Sequence, residues 1–341
     1  MAILWPVLRN FAEAFPDKEV VFVSRKNFAP LFQNIPNLIF IGLDMKDYKG
    51  IIGLWKLFIF LSKSGPFEAI LDMHDVLRTQ IVRTFLWFTG NKIAIIDKGR
   101  TEKKALTRRN NKKLLLVKST SDRYLEVFAK AGYSFSISEH AMYFEPEPSA
   151  TKAALELLKS KPNGKYHIGF APFAAHFLKI LPDRHSKKII EILVHDGKSN
   201  IYLFGSKAEK TKMEALAQGL NGVFIMTDLT NGLTSEMGVI SKLDLMITMD
   251  SANMHLAALC GTPLLSIWGP THSYTGFTPY QQSETGVYGL GNLSCRPCSV
   301  YGNKACYRKD HACMEQIEPQ EIVDLVYKRI SKNLLRVQNP Q

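Results

Sequence analysis

A strand that runs directly into a helix is predicted for residues 245–258, whose sequence is Leu245-Met246-Ile247-Thr248-Met249-Asp250-Ser251-Ala252-Asn253-Met254-His255-Leu256-Ala257-Ala258. The first five residues are apolar or β-branched, which is typical of a buried strand, and small residues follow at the turn. A strand, a tight turn and a helix in this order form the repeating unit of a parallel sheet. The start of such a helix offers free N–H groups and a positive dipole end to a phosphate or a sugar oxygen.

Similar units are predicted along the rest of the chain. In the second half, strands are predicted at residues 166–170, 201–204, 223–226, 245–248 and 264–268, with helices at 183–195, 207–220, 234–243 and 251–259. In the first half, strands are predicted at 20–24, 38–42, 69–72 and 93–97, with a helix at 77–88. The alternation predicts two doubly wound, Rossmann-like α/β domains. Ligands are expected at the carboxyl ends of the strands, in a central cleft that the two domains face.

The boundary between the two domains is predicted where the alternation stops. Glu145-Pro146-Glu147-Pro148 interrupts the pattern, a short linker helix follows, and Lys161-Pro162-Asn163-Gly164 breaks the chain again. The predicted division is therefore residues 1–148 for the first domain and 149–164 for the linker helix and turn. Residues 165–318 form the second domain with a cysteine-rich tail, and 319–341 form a C-terminal helix and tail.

The charge of the chain restricts its partners without choosing one. Its 341 residues hold 43 Lys and Arg against 31 Asp and Glu, a formal net charge of +12. Phosphorylated small molecules, anionic lipid headgroups and nucleic acid are all attracted to such a surface. The first residues lack the features of a secretion signal, so a cytoplasmic location is expected.

The most apolar run, residues 51–61, has two interpretations. It is interrupted by Lys56 and is shorter than the roughly 20 residues that a helix needs to cross a bilayer. It is either a core helix or a helix that lies in a membrane interface, anchored by Trp55, Lys56 and Lys63.

Polar residues at the turn of segment 245–258 are the first candidates for a binding site. Asp250 is placed to accept hydrogen bonds from sugar hydroxyls. In the alternative interpretation, Asp250 or Ser251 merely caps the helix and His255 is a buried imidazole. The continuation, Gly261-Thr262-Pro263 and then Gly269-Pro270-Thr271, adds a second buried strand and a Gly-Pro turn beside the first.

With this continuation the sequence resembles the ADP-heptose:lipopolysaccharide heptosyltransferases, which are family 9 glycosyltransferases of the two-domain GT-B fold. The matching positions are Asp250, Ser251, His255, Ala257, Ala258, Gly261, Pro263, Gly269, Pro270 and Thr271. Ala252 stands where the family usually has glycine. The resemblance implies an inverting enzyme that moves a heptose or a similar sugar from an ADP-sugar to a lipopolysaccharide core or lipid A acceptor. It implies no required cofactor and no catalytic metal.

The resemblance also implies the residues that bind the donor. Lys179 corresponds to the lysine that neutralises the diphosphate, and Glu209 to the glutamate that binds the ribose. Asp250, Ser251, Ala252 and His255 are expected to hold the sugar and the diphosphate. Glu209 has an alternative interpretation as an ordinary acidic residue in the first turn of a helix.

A basic stretch in the first domain is the expected site for the acceptor. Residues 97–118 contain nine Lys or Arg and two acidic residues. Lys98, Arg100 and His74 are expected to contact a negatively charged, lipid-linked sugar, and the chain is expected to contact the anionic inner face of the inner membrane peripherally. In the alternative interpretations the stretch is a solvated loop, and the Asp at the end of the strand before His74 caps the following helix. Aromatic residues do not alternate with its basic residues, which disfavours nucleic acid as the partner.

Family members normally begin with a strand and a Gly-Asp loop that carries the proposed general base. Met1 aligns within the helix that follows, so the first domain is expected to lack its first strand and the catalytic residue is left unassigned. The expected explanation is a start codon assigned too late or a truncated chain, rather than a working shortened enzyme. The alternative function is that of a non-catalytic or inactive nucleotide-sugar binding protein.

Four cysteines lie close together in the tail, at Cys295, Cys298, Cys306 and Cys313. Their spacing allows a structural zinc ion, although the second pair is more widely spaced than is usual for zinc ligands. Reduced thiols are the alternative, and in a cytoplasmic chain they are favoured over disulfides.

Overall fold

The computed structural model describes residues 1–161, 166–195, 197–280 and 286–338. Most of the turn predicted at Lys161-Pro162-Asn163-Gly164 therefore lies outside the described residues. Contacts between Cα atoms divide the chain into two units. Unit 1 contains residues 1–100 and 118–142, and unit 2 contains residues 101–117 and 143–341.

Strands and helices alternate through most of both units, as the sequence predicts. The strands are β1 (Val20–Arg25), β2 (Leu38–Leu43), β3 (Ala69–Asp72), β4 (Lys92–Ile95), β5 (Tyr166–Ala171), β6 (Ser199–Leu203), β7 (Val223–Ile225), β8 (Leu245–Met249), β9 (Leu264–Ile267) and β10 (Val287–Tyr288). The helices are α1 (Trp5–Ala14), α2 (Ala29–Phe32), α3 (Gly50–Lys63), α4 (Leu77–Phe88), α5 (Arg100–Leu106), α6 (Thr120–Ala131), α7 (Pro148–Lys159), α8 (Asp183–His195), α9 (Lys210–Ala217), α10 (Met226–Leu229), α11 (Leu233–Ile240), α12 (Ala252–Leu259), α13 (Ala312–Glu315) and α14 (Pro319–Gln338).

Unit 2 is organised by one parallel sheet of six strands in the order β10-β9-β8-β5-β6-β7. Every residue of β6, β8 and β9 is buried, as expected for strands covered by helices on both faces. Apolar side chains from α8, α9 and α14 complete this core. Since all six strands are parallel, the loops that follow β5, β6, β8 and β9 leave the sheet at the same edge.

Unit 1 contains the four predicted strands, but they pair two by two. β1 pairs with β2, and β3 pairs with β4, both in parallel. No strand in the described part of the chain bonds to both pairs. The core around β2 and β3 contains leucines of α3 and the buried Val82 and Leu86 of α4.

The basic stretch differs from the predicted loop. It contains α5, and residues Thr101–Val117 belong to unit 2 rather than to the first domain. Three contacts within unit 2 explain the difference. Lys103 is buried with its ammonium 4.3 Å from the centre of the Phe277 ring, Lys112 donates to the Cys295 carbonyl, and the Val117 N–H donates to the Tyr274 carbonyl.

Candidate functional site

The site begins at Asp250, where β8 ends in unit 2. The strand delivers this carboxylate to the sheet edge in a buried position, with 7% of the residue exposed. One carboxylate oxygen, Oδ2, accepts a 2.8 Å hydrogen bond from the Thr271 hydroxyl. The same oxygen lies 3.2 Å from the Lys179 ammonium. The loops after β5, β8 and β9 therefore meet at the carboxylate of Asp250. It lies at the carboxyl ends of the strands, where the sequence predicts the ligand to bind.

The start of α12 lies next to this carboxylate and is not capped by a side chain. Ser251 occupies the N-cap position with an extended backbone, but its hydroxyl makes no capping hydrogen bond. Asp250 is engaged with Thr271 and Lys179. The alternative interpretation, in which Asp250 or Ser251 serves as a helix cap, is therefore wrong. Ala252 is the first residue of the helix and is exposed.

Two polar atoms near the helix start lack partners. Among the described residues, the Ser251 hydroxyl and His255 Nδ1 are buried without a hydrogen bond. Burial lowers the pKa of His255 to about 3, and the positive charge of Lys179 acts in the same direction. His255 is therefore neutral at physiological pH, with one ring nitrogen available to accept or donate. Buried polar atoms are rarely left unsatisfied, so these two are consistent with a site that receives a polar ligand.

Lys179 is held in place by the cysteine-rich tail. It ends a short 3₁₀ helix, Phe177–Lys179, in the loop after β5. The imidazole Nε2 of His311 lies 2.8 Å from the carbonyl of Leu178. Gly302, at φ +76°, packs so closely on the aliphatic stem of Lys179 that a Cβ atom there would overlap it. The lysine side chain is 11% exposed, so its ammonium is confined to the neighbourhood of Asp250.

The tail also holds the Gly-Pro-Thr turn that carries Thr271. The buried guanidinium of Arg296 donates to the carbonyls of Trp268 and Gly269, both at 2.6 Å, and also to that of Leu290. The N–H groups of Cys298 and Ser299 donate to the Pro270 carbonyl.

Sequence reasoning did not assign a role to Arg296, Ser299, Gly302 or His311. The sequence shows only that these four residues lie among clustered cysteines. That position does not indicate which segments they contact.

Glu209 is placed at the same sheet edge, after β6. Its Oε2 atom accepts 2.7 Å hydrogen bonds from both the backbone N–H and the hydroxyl of Ser206. The bond from the Ser206 backbone belongs to a capping box, in which the Glu209 N–H reaches the Ser206 side chain in return. The alternative interpretation of Glu209, as an acid in the first turn of a helix, therefore describes the contacts that it makes here. The predicted helix 207–220 is divided at this point into a 3₁₀ turn, Lys207–Glu209, and α9.

The three residues predicted for the acceptor come together in unit 1, around the turn at Asp75. The ammonium of Lys98 donates to the Asp75 carbonyl at 3.0 Å, and Arg100 donates to the Asp75 carboxylate at 2.8 Å. Burial lowers the pKa of His74, and the charge of Lys98 lowers it further. Asp75 has a left-handed backbone with φ 41°. Hydrogen bonds, first from Gln80 and then from Arg83, hold its pKa below the ordinary value.

Asp72, at the end of β3, contributes to the structure of the same turn. It accepts hydrogen bonds from the N–H groups of His74 and Asp75, and it forms an ion pair with Arg83. The structure therefore gives this strand-end aspartate the role of holding the turn.

The four tail cysteines are free thiols beside the positive charge of Arg296. They line a small enclosed cavity together with His311 and Pro270. Burial raises the pKa of Cys313 to about 12, so its thiol is protonated. Within the described ranges, no group of three or more His, Cys, Asp or Glu side chains is arranged to hold a metal ion, and the zinc hypothesis gains no support from this geometry.

Residues 61–307 match glycosyltransferase family 9 (heptosyltransferase), and this match covers more than half of the chain. The chain belongs to glycosyltransferase family 9. The resemblance predicted from segment 245–258 is thereby confirmed, and the chain is a transferase enzyme. The match includes Lys179, Glu209 and Asp250 and ends within the cysteine-rich tail.

Relatives of this family 9 chain are similar over most of their length. The lipooligosaccharide heptosyltransferase 2 of Campylobacter jejuni is 27% identical, over 79% of this chain and 91% of the relative. A family 9 glycosyltransferase structure from Veillonella parvula has a TM-score of 0.74 at 16% identity, covering 97% of this chain and 94% of that chain. The Escherichia coli ADP-heptose lipopolysaccharide heptosyltransferase II has a TM-score of 0.69 at 16% identity, covering 98% and 96%. The structural likenesses show the fold, and they confirm the predicted GT-B class.

Proposed function

We propose that this family 9 chain transfers a heptose, or a similar sugar, from an ADP-sugar to a lipopolysaccharide core or lipid A acceptor. Family membership and the names of its relatives support heptose transfer. The observation that carries the proposal is the Lys179–Asp250 pair beside an uncapped helix start. A cation, a carboxylate and free N–H groups are the three elements needed to bind a sugar linked to a diphosphate.

The donor is placed on this pair by charge and by hydrogen-bonding capacity. A diphosphate beside Asp250 alone would be repelled, whereas Lys179 and the positive end of α12 attract it. The Asp250 carboxylate has lone pairs left for sugar hydroxyls, and His255 Nδ1 and the Ser251 hydroxyl offer further polar contacts. Glu209 follows β6, two strands from β8 at the same edge. The proposal assigns the ribose of the nucleotide to its carboxylate.

In the transfer step, an acceptor hydroxyl attacks the anomeric carbon of the donor sugar and the bond from that carbon to the phosphate oxygen breaks. ADP leaves with the electron pair of that bond, the acceptor oxygen forms the new bond to the carbon and releases its proton to the solvent, and the configuration at the anomeric carbon is inverted. Lys179 and the start of α12 stabilise the charge that develops on the departing ADP. These two groups supply the positive potential that a metal ion provides in other transferases.

The cysteine-rich tail takes part through Arg296, Ser299 and Gly302, which contact the donor loops directly. The structural zinc ion expected at the four cysteines stays a prediction. Elemental analysis of the purified protein checks for it.

The acceptor is placed on the basic turn of unit 1. Arg83 pairs with Asp72 and Asp75, Arg100 pairs with Asp75, and Lys98 donates to the Asp75 carbonyl. Three cations and two carboxylates therefore meet here, which leaves an excess of positive charge. The Arg100 side chain is 69% exposed and is free to contact a phosphate or carboxylate of the acceptor. Because the acceptor is anchored by lipid, the enzyme works as a peripheral protein on the cytoplasmic face of the inner membrane.

The test is a donor comparison with a defined acceptor. The purified chain is incubated with Kdo-lipid A and with either ADP-heptose or UDP-glucose, and the glycolipid product is measured by mass spectrometry. The proposal expects a heptose-containing product and released ADP from the first donor only. Transfer from UDP-glucose, or binding of ADP-heptose with no product, would contradict it.

A further inference from the structure

Helix α3 has two apolar faces, and only one of them is buried. Leu54, Leu57 and Leu61 pack into the core of unit 1. The opposite face exposes five large apolar side chains: Ile51 (75% exposed), Ile52 (75%), Trp55 (49%), Ile59 (38%) and Phe60 (41%). A surface helix of a globular protein normally carries polar residues on its outward face. The interpretation of this run as a core helix therefore describes the buried face of α3. The interpretation as a membrane-interface helix describes the exposed face.

The exposed face of α3 is continuous with the end of α4. The Trp55 ring lies 5.2 Å from that of Phe85, which in turn lies 5.5 Å from that of Phe58. Trp87 and Phe88 follow on α4 and are 59% and 73% exposed. We call this region the α3–α4 apolar surface, and it consists of Ile51, Ile52, Trp55, Ile59, Phe60, Trp87 and Phe88.

The helical period places the apolar and basic residues of α3 in adjacent strips. At about 100° per residue, Ile51, Ile52, Trp55 and Ile59 fall within one quarter or so of the helix circumference. Lys56 and Lys63 follow directly beside them and are both exposed. Long lysine side chains in this position lie along apolar surface and keep their ammonium groups in the headgroup region.

The charge of this region has one sign. Residues 49–63 contain three lysines and no acidic residue, and α4 contains Arg78 and Arg83 and no acidic residue. Among the described residues, no helix is long and apolar enough to span a membrane. An apolar strip with tryptophans, bordered by lysines, fits the interface of a bilayer that contains anionic lipids.

We propose that the α3–α4 apolar surface is the face through which unit 1 binds an anionic lipid bilayer. The biological role of this binding rests on the proposed function, because a lipid-anchored acceptor lies at the surface of such a bilayer. Positive charge brings the protein to the membrane, and the aliphatic and aromatic side chains then enter the interface. Binding itself requires neither the sugar donor nor the acceptor.

Tryptophan fluorescence gives the first test on the intact chain. Of its four tryptophans, Trp5 and Trp268 are buried, at 5% and 1% exposure, so lipid contact is reported by Trp55 and Trp87. Vesicles of phosphatidylethanolamine and phosphatidylglycerol are expected to shift the emission to shorter wavelength, and brominated lipid to quench it. Neither effect is expected in the double variant Trp55→Phe, Trp87→Phe. Absence of quenching in the unchanged protein would overturn the proposal.

Flotation with the same vesicles tests the apolar contribution. The double variant Ile52→Gln, Ile59→Gln is expected to reduce the bound fraction by at least about tenfold, since it removes two aliphatic side chains from the interface. Leu155→Gln is the matched control, because Leu155 is 42% exposed on α7 in unit 2. Circular dichroism verifies that each variant is folded. Equal binding by the two variants would contradict the proposal.

Charge reversal tests the electrostatic contribution. The variant Lys56→Glu, Lys63→Glu is expected to bind anionic vesicles more weakly, with a smaller dependence on salt, and to differ little from the unchanged protein on phosphatidylcholine vesicles. A second copy of the chain is the competing occupant of the surface. Sedimentation that shows a dimer broken by Ile52→Gln, Ile59→Gln, together with no vesicle binding, would assign the surface to that copy and overturn the proposal.

Activity with two forms of the acceptor separates this inference from the proposed function. The Ile52→Gln, Ile59→Gln variant should transfer sugar to a deacylated, water-soluble acceptor at the normal rate and to a vesicle-embedded acceptor more slowly. No transfer to either acceptor by the unchanged protein would contradict the proposed function and leave the vesicle-binding result intact. Equal rates for both proteins on embedded acceptor would contradict a role of this surface in presenting the acceptor.

Discussion

The ammonium of Lys179 lies 3.2 Å from a carboxylate oxygen of Asp250, and both side chains are almost completely buried. These residues follow different strands, β5 and β8, which are adjacent in the sheet of unit 2. Removing one member of a buried pair leaves the other without its partner, which is costly, and each side chain fixes the orientation of the other. The pair therefore holds a cation and a hydrogen-bond acceptor at one point of the protein before any ligand binds.

Removing the lysine charge should impair the enzyme strongly. We expect Lys179→Met to lower kcat/KM for the ADP-sugar by about 100-fold or more, because it removes the cation that stabilises the departing diphosphate. Lys207→Met is the matched control, since Lys207 is an exposed lysine in the turn after β6 and should change kcat/KM by less than about twofold. Steady-state kinetics with ADP-heptose measure both. A similar loss in the two variants would indicate a general effect of positive charge rather than a specific role of Lys179.

Gly302 should be required for the position of Lys179. Gly302→Ala is expected to reduce kcat/KM by about tenfold or more, because the new methyl group overlaps the lysine stem and displaces its ammonium. Gly197→Ala provides the control for backbone strain. Gly197 also has a left-handed backbone, at φ +66°, but a Cβ atom there meets nothing within 4 Å. Both variants should lose about 1 kcal/mol of stability or more from backbone strain, and only Gly302→Ala should also lose activity.

The role of Glu209 can be separated from its capping of the turn. Glu209→Ala is expected to raise the KM for the ADP-sugar if the carboxylate also binds the ribose. Ser206→Ala keeps that carboxylate and removes one of its two hydrogen bonds, so it should weaken the turn by about 1 kcal/mol and leave the KM nearly unchanged. Thermal unfolding and donor titration measure the two effects. An equal rise in KM for both variants would indicate that Glu209 acts only by capping the turn and does not bind the ribose.

His255 should make the folded state sensitive to acid. Its pKa is about 3 in the folded protein against an ordinary value of 6.5, so the unfolded chain binds more protons between these values. The contribution of neutral His255 to stability is therefore present above pH 6.5 and is lost as the pH falls toward 3. Urea unfolding at about pH 7 and about pH 5 should show a larger loss of stability for the unchanged protein than for His255→Asn, which does not titrate. The same loss in both proteins would mean that other groups cause the effect.

Much of the local structure could be predicted because its signals are local. The helices at residues 77–88 and 183–195 were predicted with the ends that α4 and α8 have, since their apolar residues recur at the helical spacing. The strand β8 and the start of α12 were predicted within one residue. The edge strand β10 was missed because its two residues are too few to produce a pattern.

Other errors came from contacts between residues far apart in the sequence. Residues 101–117 were assigned to the first domain because they precede the predicted linker, but contacts to residues near 275 and 295 place them in unit 2. The helix cap predicted as an alternative for Asp250 was wrong, because Lys179 and Thr271 engage that carboxylate. A local pattern cannot reveal such competition between distant partners.

The sequence by itself determined the alternation of strands and helices, the family, and the identity of the polar residues at the edge where β5, β6 and β8 end. These properties depend on side-chain types within short windows, where periodicity and motif spacing are visible. Only the tertiary structure decided that Arg296, Gly302 and His311 contact the loops after β5 and β9, and that α3 leaves one apolar face exposed. The reason is that burial and pairing are set by which distant segments meet, and two helices with the same apolar period differ in what covers their outer faces.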